Sequence, residues 1–266
     1  MSELFDTPWR RMTAAIFDRP RDGKVFGMMD IDVTDAMVWL RQKNAEGHRI
    51  TLTHLVTTAV AHTLAEDCPQ LNCRIRLGRV SARDDVACRL AIDRDGKDVG
   101  SVLIRDLEKK SILEVAEELN ARIAEQRRSE NDPSMQNRNA LATLPWPMRK
   151  WVYDGVRWLV NEAGVTVGGF RPGMFGSFML TNVGPLGLTV GYPALMPASD
   201  VPFVIAMGKA TRKPLVIEDE IVIRDTIPIC ATIDHRVVDG AGVARLAKGA
   251  IARVEDPSRM ERAPSA

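Results

Sequence analysis

The sequence predicts a single α/β domain, on three observations. Segments with strand-like alternation and segments with helical spacing follow one another along the 266 residues, with no long linker between them. A hydrophobic fraction of 45% is enough to build a core. The four cysteines are irregularly spaced and form no CxxC pair, which favours buried thiols over a disulfide scaffold or a zinc site.

The first half of the chain predicts strands and helices in alternation. Between Val25 and Val33 apolar residues alternate with polar ones, as in a half-buried strand. Two helices follow, from Thr34 to Gly47 and from Leu52 to Leu64, both with apolar residues at helical spacing. Two strand-like runs, 86–92 and 99–104, precede a helix over 112–123 that begins at the capping box of Ser111 and Glu114.

The segment 129–175 is predicted to be an aromatic-rich insertion. Its first part is polar and lacks periodicity, whereas 144–160 has the spacing of an amphipathic helix with Trp151 on the apolar side. Trp151 and Trp158 are candidates for lining a substrate channel, and core packing is the alternative. The charged side, which includes Arg149, Lys150 and Arg157, is predicted to face solvent.

The last part of the chain returns to strands. Strand-like runs cover 177–183, 202–207, 215–224 and 227–233, with a turn predicted near Glu218 and Asp219 in the third run. Asp239 and Gly240 then precede a final helix.

Composition argues against several classes of protein. The formal net charge is +1, so no overall positive field attracts nucleic acid. The sequence has no run of about 20 apolar residues for a transmembrane segment and no signal peptide, and we expect a cytoplasmic location. Four scattered histidines and the absence of an HExxH motif predict no metal site.

His235 is the candidate for chemistry. It follows the strand-like run 226–233, and Asp239 lies four residues later at a helix start. Because a histidine side chain ordinarily titrates near neutral pH, one at a strand exit can act as a general base. The alternative is a loop histidine followed by a helix-capping aspartate.

The segment around His235 and four other segments of the sequence resemble those of one protein family. The run Ile233-Asp234-His235-Arg236-Val237-Val238-Asp239-Gly240 resembles the active-site motif of the dihydrolipoamide acyltransferases of 2-oxoacid dehydrogenase complexes. The runs 104–111, 176–184, 202–208 and 255–257 resemble other segments of that family, in the same order. The resemblance implies a chloramphenicol acetyltransferase-like two-layer fold, with a mixed β-sheet and flanking helices.

The resemblance also implies a reaction and a set of site residues. Coenzyme A takes part as a substrate, and an acyl group moves between it and a dihydrolipoyl-type thiol. His235 is expected to be the base and Thr181 the hydroxyl that stabilises the oxyanion. Asp239 is expected to hold the His235 loop through an ion pair with Arg10 or Arg11, and Asn182 to support the site. The family places His235 and Thr181 in different subunits of a homotrimer.

We expect residues 1–266 to form one acyltransferase catalytic domain without a lipoyl or subunit-binding domain. A lipoyl group would then act only in trans, on a separate lipoylated carrier protein. The C-terminal residues offer only Met260 as a large apolar side chain, which predicts a trimer that does not assemble further. Two alternatives remain open: an acyl-CoA transferase acting on a small molecule or another carrier, and a catalytically silent trimeric scaffold.

Overall fold

A mixed β-sheet is the framework of the molecule. The structure is a computed structural model that describes residues 23–93, 99–128, 145 and 147–264. Within those residues one sheet has seven strands in the order β1-β9-β7-β6-β4-β5, with β8 paired to β9, and β2 and β3 form a separate hairpin. The strands are β1 (Lys24–Asp32), β2 (Cys73–Arg76), β3 (Arg79–Ala82), β4 (Cys88–Asp93), β5 (Val99–Ile104), β6 (Phe178–Asn182), β7 (Phe203–Met207), β8 (Thr211–Ile217) and β9 (Glu220–Asp234).

Helices cover one face of the sheet. The five α-helices of the described residues are α1 (Thr34–Ala45), α2 (Leu52–Glu66), α3 (Ile112–Arg128), α4 (Met148–Asn161) and α5 (Gly240–Glu255). Helix α2 is buried along most of its length and packs against α5 and α3. The main core therefore lies between the sheet and this helical layer. The α/β class and the mixed sheet with flanking helices are confirmed.

Strand β9 is the longest element and organises the sheet. Its first half pairs antiparallel with β8 and its second half lies between β1 and β7. The sequence suggested two runs separated near residues 225–226. A continuous strand forms because Thr226 lies between β1 and β8, opposite Asp32 and Thr211. The predicted turn at Glu218 and Asp219 is confirmed, with both residues at positive φ.

Helix α4 does not show the core packing that was the alternative for its tryptophans. Val160 is its only buried residue, whereas Trp151 is 68% exposed and Trp158 is 54% exposed. The apolar side predicted from the sequence therefore points to solvent in this chain. None of the helices in the described residues is long and apolar enough to cross a membrane.

Candidate functional site

His235 stands just beyond the end of β9. Ile229 and Ile233 of this strand are buried in the core, which fixes where the strand ends and the turn begins. The backbone N–H of His235 donates to the carbonyl oxygen of Gly23 at 2.8 Å. Its side chain is exposed, and within the described residues the imidazole has no hydrogen-bond partner. The imidazole is therefore accessible to a substrate.

The residues on either side of His235 hold the turn in place. Arg236 donates from Nε and Nη2 to the carboxylate of Asp234, at 2.9 and 2.6 Å. The hydrogen bond to Asp234 raises the pKa of Arg236. The backbone N–H of Arg236 also donates to Asp234 Oδ1, at 3.0 Å. Since Asp234 is the last residue of the strand, these bonds fix the start of the turn that carries His235.

Asp239 caps helix α5. Its Oδ1 accepts a hydrogen bond from the backbone N–H of Gly242 at 2.7 Å, which satisfies one of the free N–H groups of the first helical turn. The ion pair expected with Arg10 or Arg11 lies outside the described residues. The observed contact supports the capping alternative considered for Asp239.

Thr181 and Asn182 have different roles in β6. Asn182 Nδ2 donates to Thr53 Oγ1 at 3.0 Å, and Asn182 Oδ1 accepts from the backbone N–H of Gly184 at 3.0 Å. Asn182 therefore ties the end of β6 to the start of α2. Because side chains alternate along a strand, half-buried Thr181 lies on the opposite face of the sheet, away from the helices.

Within one chain His235 and Thr181 are far apart. Thr181 lies opposite Ala206 on β7, and Ala206 lies opposite Cys230 on β9. His235 follows Cys230 by five residues. With about 4.8 Å between strands and a rise of about 3.3 Å per residue, the Cα atoms of Thr181 and His235 are about 19 Å apart. The two side chains of one subunit cannot act on the same carbonyl group.

A cavity of about 360 Å³ adjoins the His235 turn. Its walls come from the start of β1, the segment before β7, the end of β9, strand β2 and helix α4. Trp158 lines this cavity and Trp151 does not. Trp158 therefore lies close to the candidate site, and the proposed channel roles of both tryptophans stay predictions.

Of the charged side chains in and behind this cavity, Arg74, Arg83 and Asp200 were not identified from the sequence, and Arg157 was predicted to face solvent. Asp200 is paired with Arg83 at 3.8 Å, and both side chains are largely buried. Burial raises the pKa of Asp200 to about 6 and lowers the pKa of Arg83. Arg74 and Arg157 line the same cavity, and the Nε atom of each is buried without a hydrogen-bond partner in the described residues. These residues are far apart in sequence, so no motif connects them.

Two buried histidines and the four cysteines are part of the core. His54 Nδ1 accepts from the backbone N–H of Thr51 in the capping box of α2, and burial lowers the pKa of His54 to about 4. His62 Nε2 donates to the carbonyl oxygen of Lys110 at 2.8 Å. All four cysteines are free and buried. Across the part of the chain that the structure describes, no His, Cys, Asp and Glu side chains cluster as metal ligands.

Curated relatives share parts of this sequence. The chain is 37% identical over 70 residues to the dihydrolipoyllysine-residue acetyltransferase component of the pyruvate dehydrogenase complex from Acholeplasma laidlawii, covering 26% of this chain and 12% of that protein. It is 22% identical over 219 residues to the lipoamide acyltransferase component of the branched-chain alpha-keto acid dehydrogenase complex from Bacillus subtilis (strain 168). That alignment covers 80% of this chain and 42% of the relative, so the chain spans less than half of either relative's length.

Solved structures show the same fold. The dihydrolipoamide acetyltransferase of Azotobacter vinelandii superimposes with a TM-score of 0.64 at 18% identity, over 90% of this chain and 84% of that one. A chloramphenicol acetyltransferase superimposes with a TM-score of 0.54 at 14% identity, over 88% of this chain and 89% of that one. The expected chloramphenicol acetyltransferase-like fold is therefore confirmed.

A family model defines the membership. The model of the 2-oxoacid dehydrogenases acyltransferase (catalytic domain) matches residues 7–139 and 174–261, which is most of the chain. The match includes His235, Thr181 and Asp239, and it leaves out the segment 140–173 that contains α4. The chain belongs to the family of 2-oxoacid dehydrogenase acyltransferase catalytic domains.

Proposed function

We propose that the protein is a CoA-dependent acyltransferase in which His235 is the general base. The observation that carries the proposal is the exposed imidazole of His235, without a hydrogen-bond partner in the described residues, on a turn fixed by Asp234 and Arg236. An imidazole in this position can accept the proton of a bound thiol. The solved Azotobacter vinelandii enzyme supports the assignment, since a histidine and an asparagine four residues apart have roles in its catalytic mechanism. His235 and Asp239 have the same spacing.

The reaction is an exchange of thioesters. A thiol has a pKa of about 8.5 and is mostly protonated at neutral pH, so it needs a base to become a good nucleophile. His235 takes the proton as the sulfur attacks the thioester carbonyl carbon, which forms a tetrahedral oxyanion. The oxyanion then collapses, the carbon–sulfur bond to the original thiol breaks, and the leaving thiolate takes the proton back from the imidazolium. The acyl group has then moved from one sulfur to the other.

The oxyanion needs a hydrogen-bond donor. We assign this role to the hydroxyl of Thr181, which would contribute about 2.7–4 kcal/mol to lowering the barrier. Because His235 and Thr181 of one chain are about 19 Å apart, the Thr181 that faces a given His235 must belong to a neighbouring subunit. Asn182 supports this residue by tying the end of β6 to Thr53.

A homotrimer is the assembly that we propose. Apolar side chains exposed in this chain, including Phe26 beside Tyr192 and the pair Ile221 and Ile223 on the β8–β9 hairpin, offer surface for contacts between subunits. Met260 is fully buried within its own subunit, so it is not available to join one trimer to another. This burial supports a discrete trimer.

The acceptor that we propose is a dihydrolipoyl group carried on a separate protein, with acyl-CoA as the other substrate. A small-molecule or other carrier acceptor would use the same His235 chemistry. Release of free CoA from a panel of acyl-CoA thioesters, with dihydrolipoamide and other thiols as acceptors, distinguishes these substrates.

The test of the proposed base is His235→Ala, with His48→Ala as the matched control. His48 is exposed in the loop between α1 and α2 and does not line the cavity beside the His235 turn. His235→Ala is expected to lower kcat by about 10²–10⁴, the range that a general base contributes, and to leave the melting temperature unchanged. His48→Ala should keep full activity. Unchanged turnover in folded His235→Ala would remove this residue from the mechanism, and a wild-type protein without turnover would favour a silent scaffold.

A further inference from the structure

The cavity beside the His235 turn is lined by two arginines whose Nε atoms have no hydrogen-bond partner in the described residues. Arg74 reaches it from β2 and Arg157 reaches it from α4. The Nε atom of each is buried and has no hydrogen-bond acceptor in the part of the chain that the structure describes. A buried N–H donor without an acceptor costs free energy. The Arg157 side chain as a whole is 38% exposed, so its other donors stay accessible, and together the two arginines favour an anionic ligand.

The carboxylates nearby already have other partners. Asp234 is bonded to Arg236, Asp200 is paired with Arg83, and Glu162 accepts a hydrogen bond from the backbone N–H of Leu77. Arg74 influences Asp200, since it helps to lower that carboxyl pKa against the effect of burial, but no ion pair joins them.

Arg157 has one acidic neighbour on its own helix. Asp154 Oδ1 lies 3.8 Å from Arg157 Nε, whereas Asp154 Oδ2 is only 2.6 Å from Lys150 Nζ. The carboxylate of Asp154 is therefore shared, held closely by Lys150 and only loosely by Arg157. The cavity can accept an additional anion without breaking any of these pairs.

The chemistry of the two arginines indicates which anion. A guanidinium group presents its N–H donors in a planar fork that matches a carboxylate. A volume of about 360 Å³ is at the small end of ligand pockets, and the side chain of Trp158 adds an apolar wall. A short carbon chain that ends in a carboxylate fits both features.

The position of the cavity indicates where that carboxylate is attached. Asp234 and Arg236, which line the cavity, are the immediate neighbours of His235. In an acyl-CoA the acyl group is next to the reacting thioester, whereas the phosphates are at the far end of the pantetheine arm. Because His235 itself does not line the cavity, an occupant lies beside the reacting centre and not at it, which we take to be the position of the far end of the acyl group.

We propose that this cavity binds the terminal carboxylate of a dicarboxylic acyl group, with Arg74 and Arg157 as its specificity-determining residues. The assignment to the acyl group rests on the proposed acyl transfer at His235. Arg157 and Trp158 belong to the segment 140–173 that the family model does not match, so this part of the site is an addition in this chain.

The test compares two thioesters of equal length, succinyl-CoA and butyryl-CoA, which differ in a terminal carboxylate and a terminal methyl group. Calorimetric titration gives both affinities without requiring turnover. The wild-type protein is expected to bind succinyl-CoA more tightly than butyryl-CoA by about 10-fold to 100-fold, the range for hydrogen bonds to a charged group. Arg157→Gln and Arg74→Gln should each remove most of this preference and leave butyryl-CoA affinity unchanged. The matched control is Arg149→Gln, on the same helix but outside the cavity, which should keep the preference.

Free succinate and its neutral analogue succinamide separate this proposal from the proposed function. One outcome is that the wild-type protein binds succinate more tightly than succinamide, that Arg157→Gln loses this preference, and that neither CoA thioester binds. That outcome supports the carboxylate site and contradicts the proposed acyl transfer. Equal affinity of the wild-type protein for the charged and neutral members of both pairs overturns the proposal. An equal preference in the wild type and in both folded arginine variants also overturns it.

Discussion

Replacing Asp239 separates two roles that a carboxylate can have at this position. In the structure its Oδ1 accepts the backbone N–H of Gly242 at 2.7 Å and so caps α5. Asp239→Ala removes this acceptor and also the negative charge at the helix N-terminus, which together cost about 1–2 kcal/mol. Asp239→Asn keeps an oxygen for the same bond and loses only the charge, at a cost of about 0.3–1 kcal/mol.

Thermal unfolding measures this difference. For a chain of this size about 1 kcal/mol corresponds to about 2–4 °C, so Asp239→Ala should melt several degrees below the wild type and Asp239→Asn about 1–3 °C below it. Asp219→Asn is the control. It removes an exposed charge from a turn, and asparagine also tolerates the positive φ of that position. A decrease in melting temperature for Asp239→Asn as large as that for Asp239→Ala would refute the assignment of Asp239 as a helix cap. It would indicate that the charge itself is paired, as expected with Arg10 or Arg11.

Three further predictions concern the stability of the fold. Burial lowers the pKa of His54 from its ordinary 6.5 to about 4, so the stability that neutral His54 contributes is present above pH 6.5 and is lost towards pH 4. The free energy of unfolding should fall by about 3 kcal/mol over that range, and denaturant titration of His54→Gln should show a flatter pH dependence. Gly208→Ala should lower stability by about 3 kcal/mol, because the added Cβ would meet Pro228 Cγ at 2.6 Å and the carbonyl oxygen of Thr189. A Cβ added at Gly27 would meet nothing within 4 Å, so Gly27→Ala should change the free energy of unfolding by less than about 1 kcal/mol. Similar losses of stability in the two variants would contradict this packing. A double-mutant cycle of Asn182→Ala and Thr53→Ala should give a coupling of about 1 kcal/mol, and a coupling of zero would show that their hydrogen bond contributes nothing.

Local patterns in the sequence were enough to predict most of the main elements. The alternation in 25–33 predicted β1 because Ile31 and Val33, on one side near its end, are buried in the core, whereas Asp30 on the other side is exposed. The capping box of Ser111 and Glu114 is present, with the N–H of Ser111 donating to the Glu114 carboxylate at 2.7 Å. Both signals depend on residues that are near neighbours in the chain, and a sequence pattern reports such contacts directly.

Contacts between distant segments could not be predicted in the same way. The β2–β3 hairpin was missed because each of its strands has only four residues, so the alternation of apolar and polar residues in them is too short to stand out. Arg157 was assigned to a solvated helix side, yet its Nε atom is buried in the cavity against segments that precede it by more than 80 residues. Trp151 has the spacing of a core residue, but the sequence cannot tell whether a surface of its own subunit covers it.

The central claim, a site shared between subunits with His235 as base and Thr181 as oxyanion donor, is tested most directly by mixing two impaired variants. His235→Ala and Thr181→Val are each expected to be at least about 100-fold slower than the wild type when assayed alone. In trimers that form from equal amounts of both chains, about a quarter of the sites combine an intact His235 from one subunit with an intact Thr181 from its neighbour. Co-refolded mixtures should therefore recover about a quarter of the wild-type kcat. Activity no higher than the average of the two variants, in mixtures shown to contain both chains, would contradict a site shared between subunits.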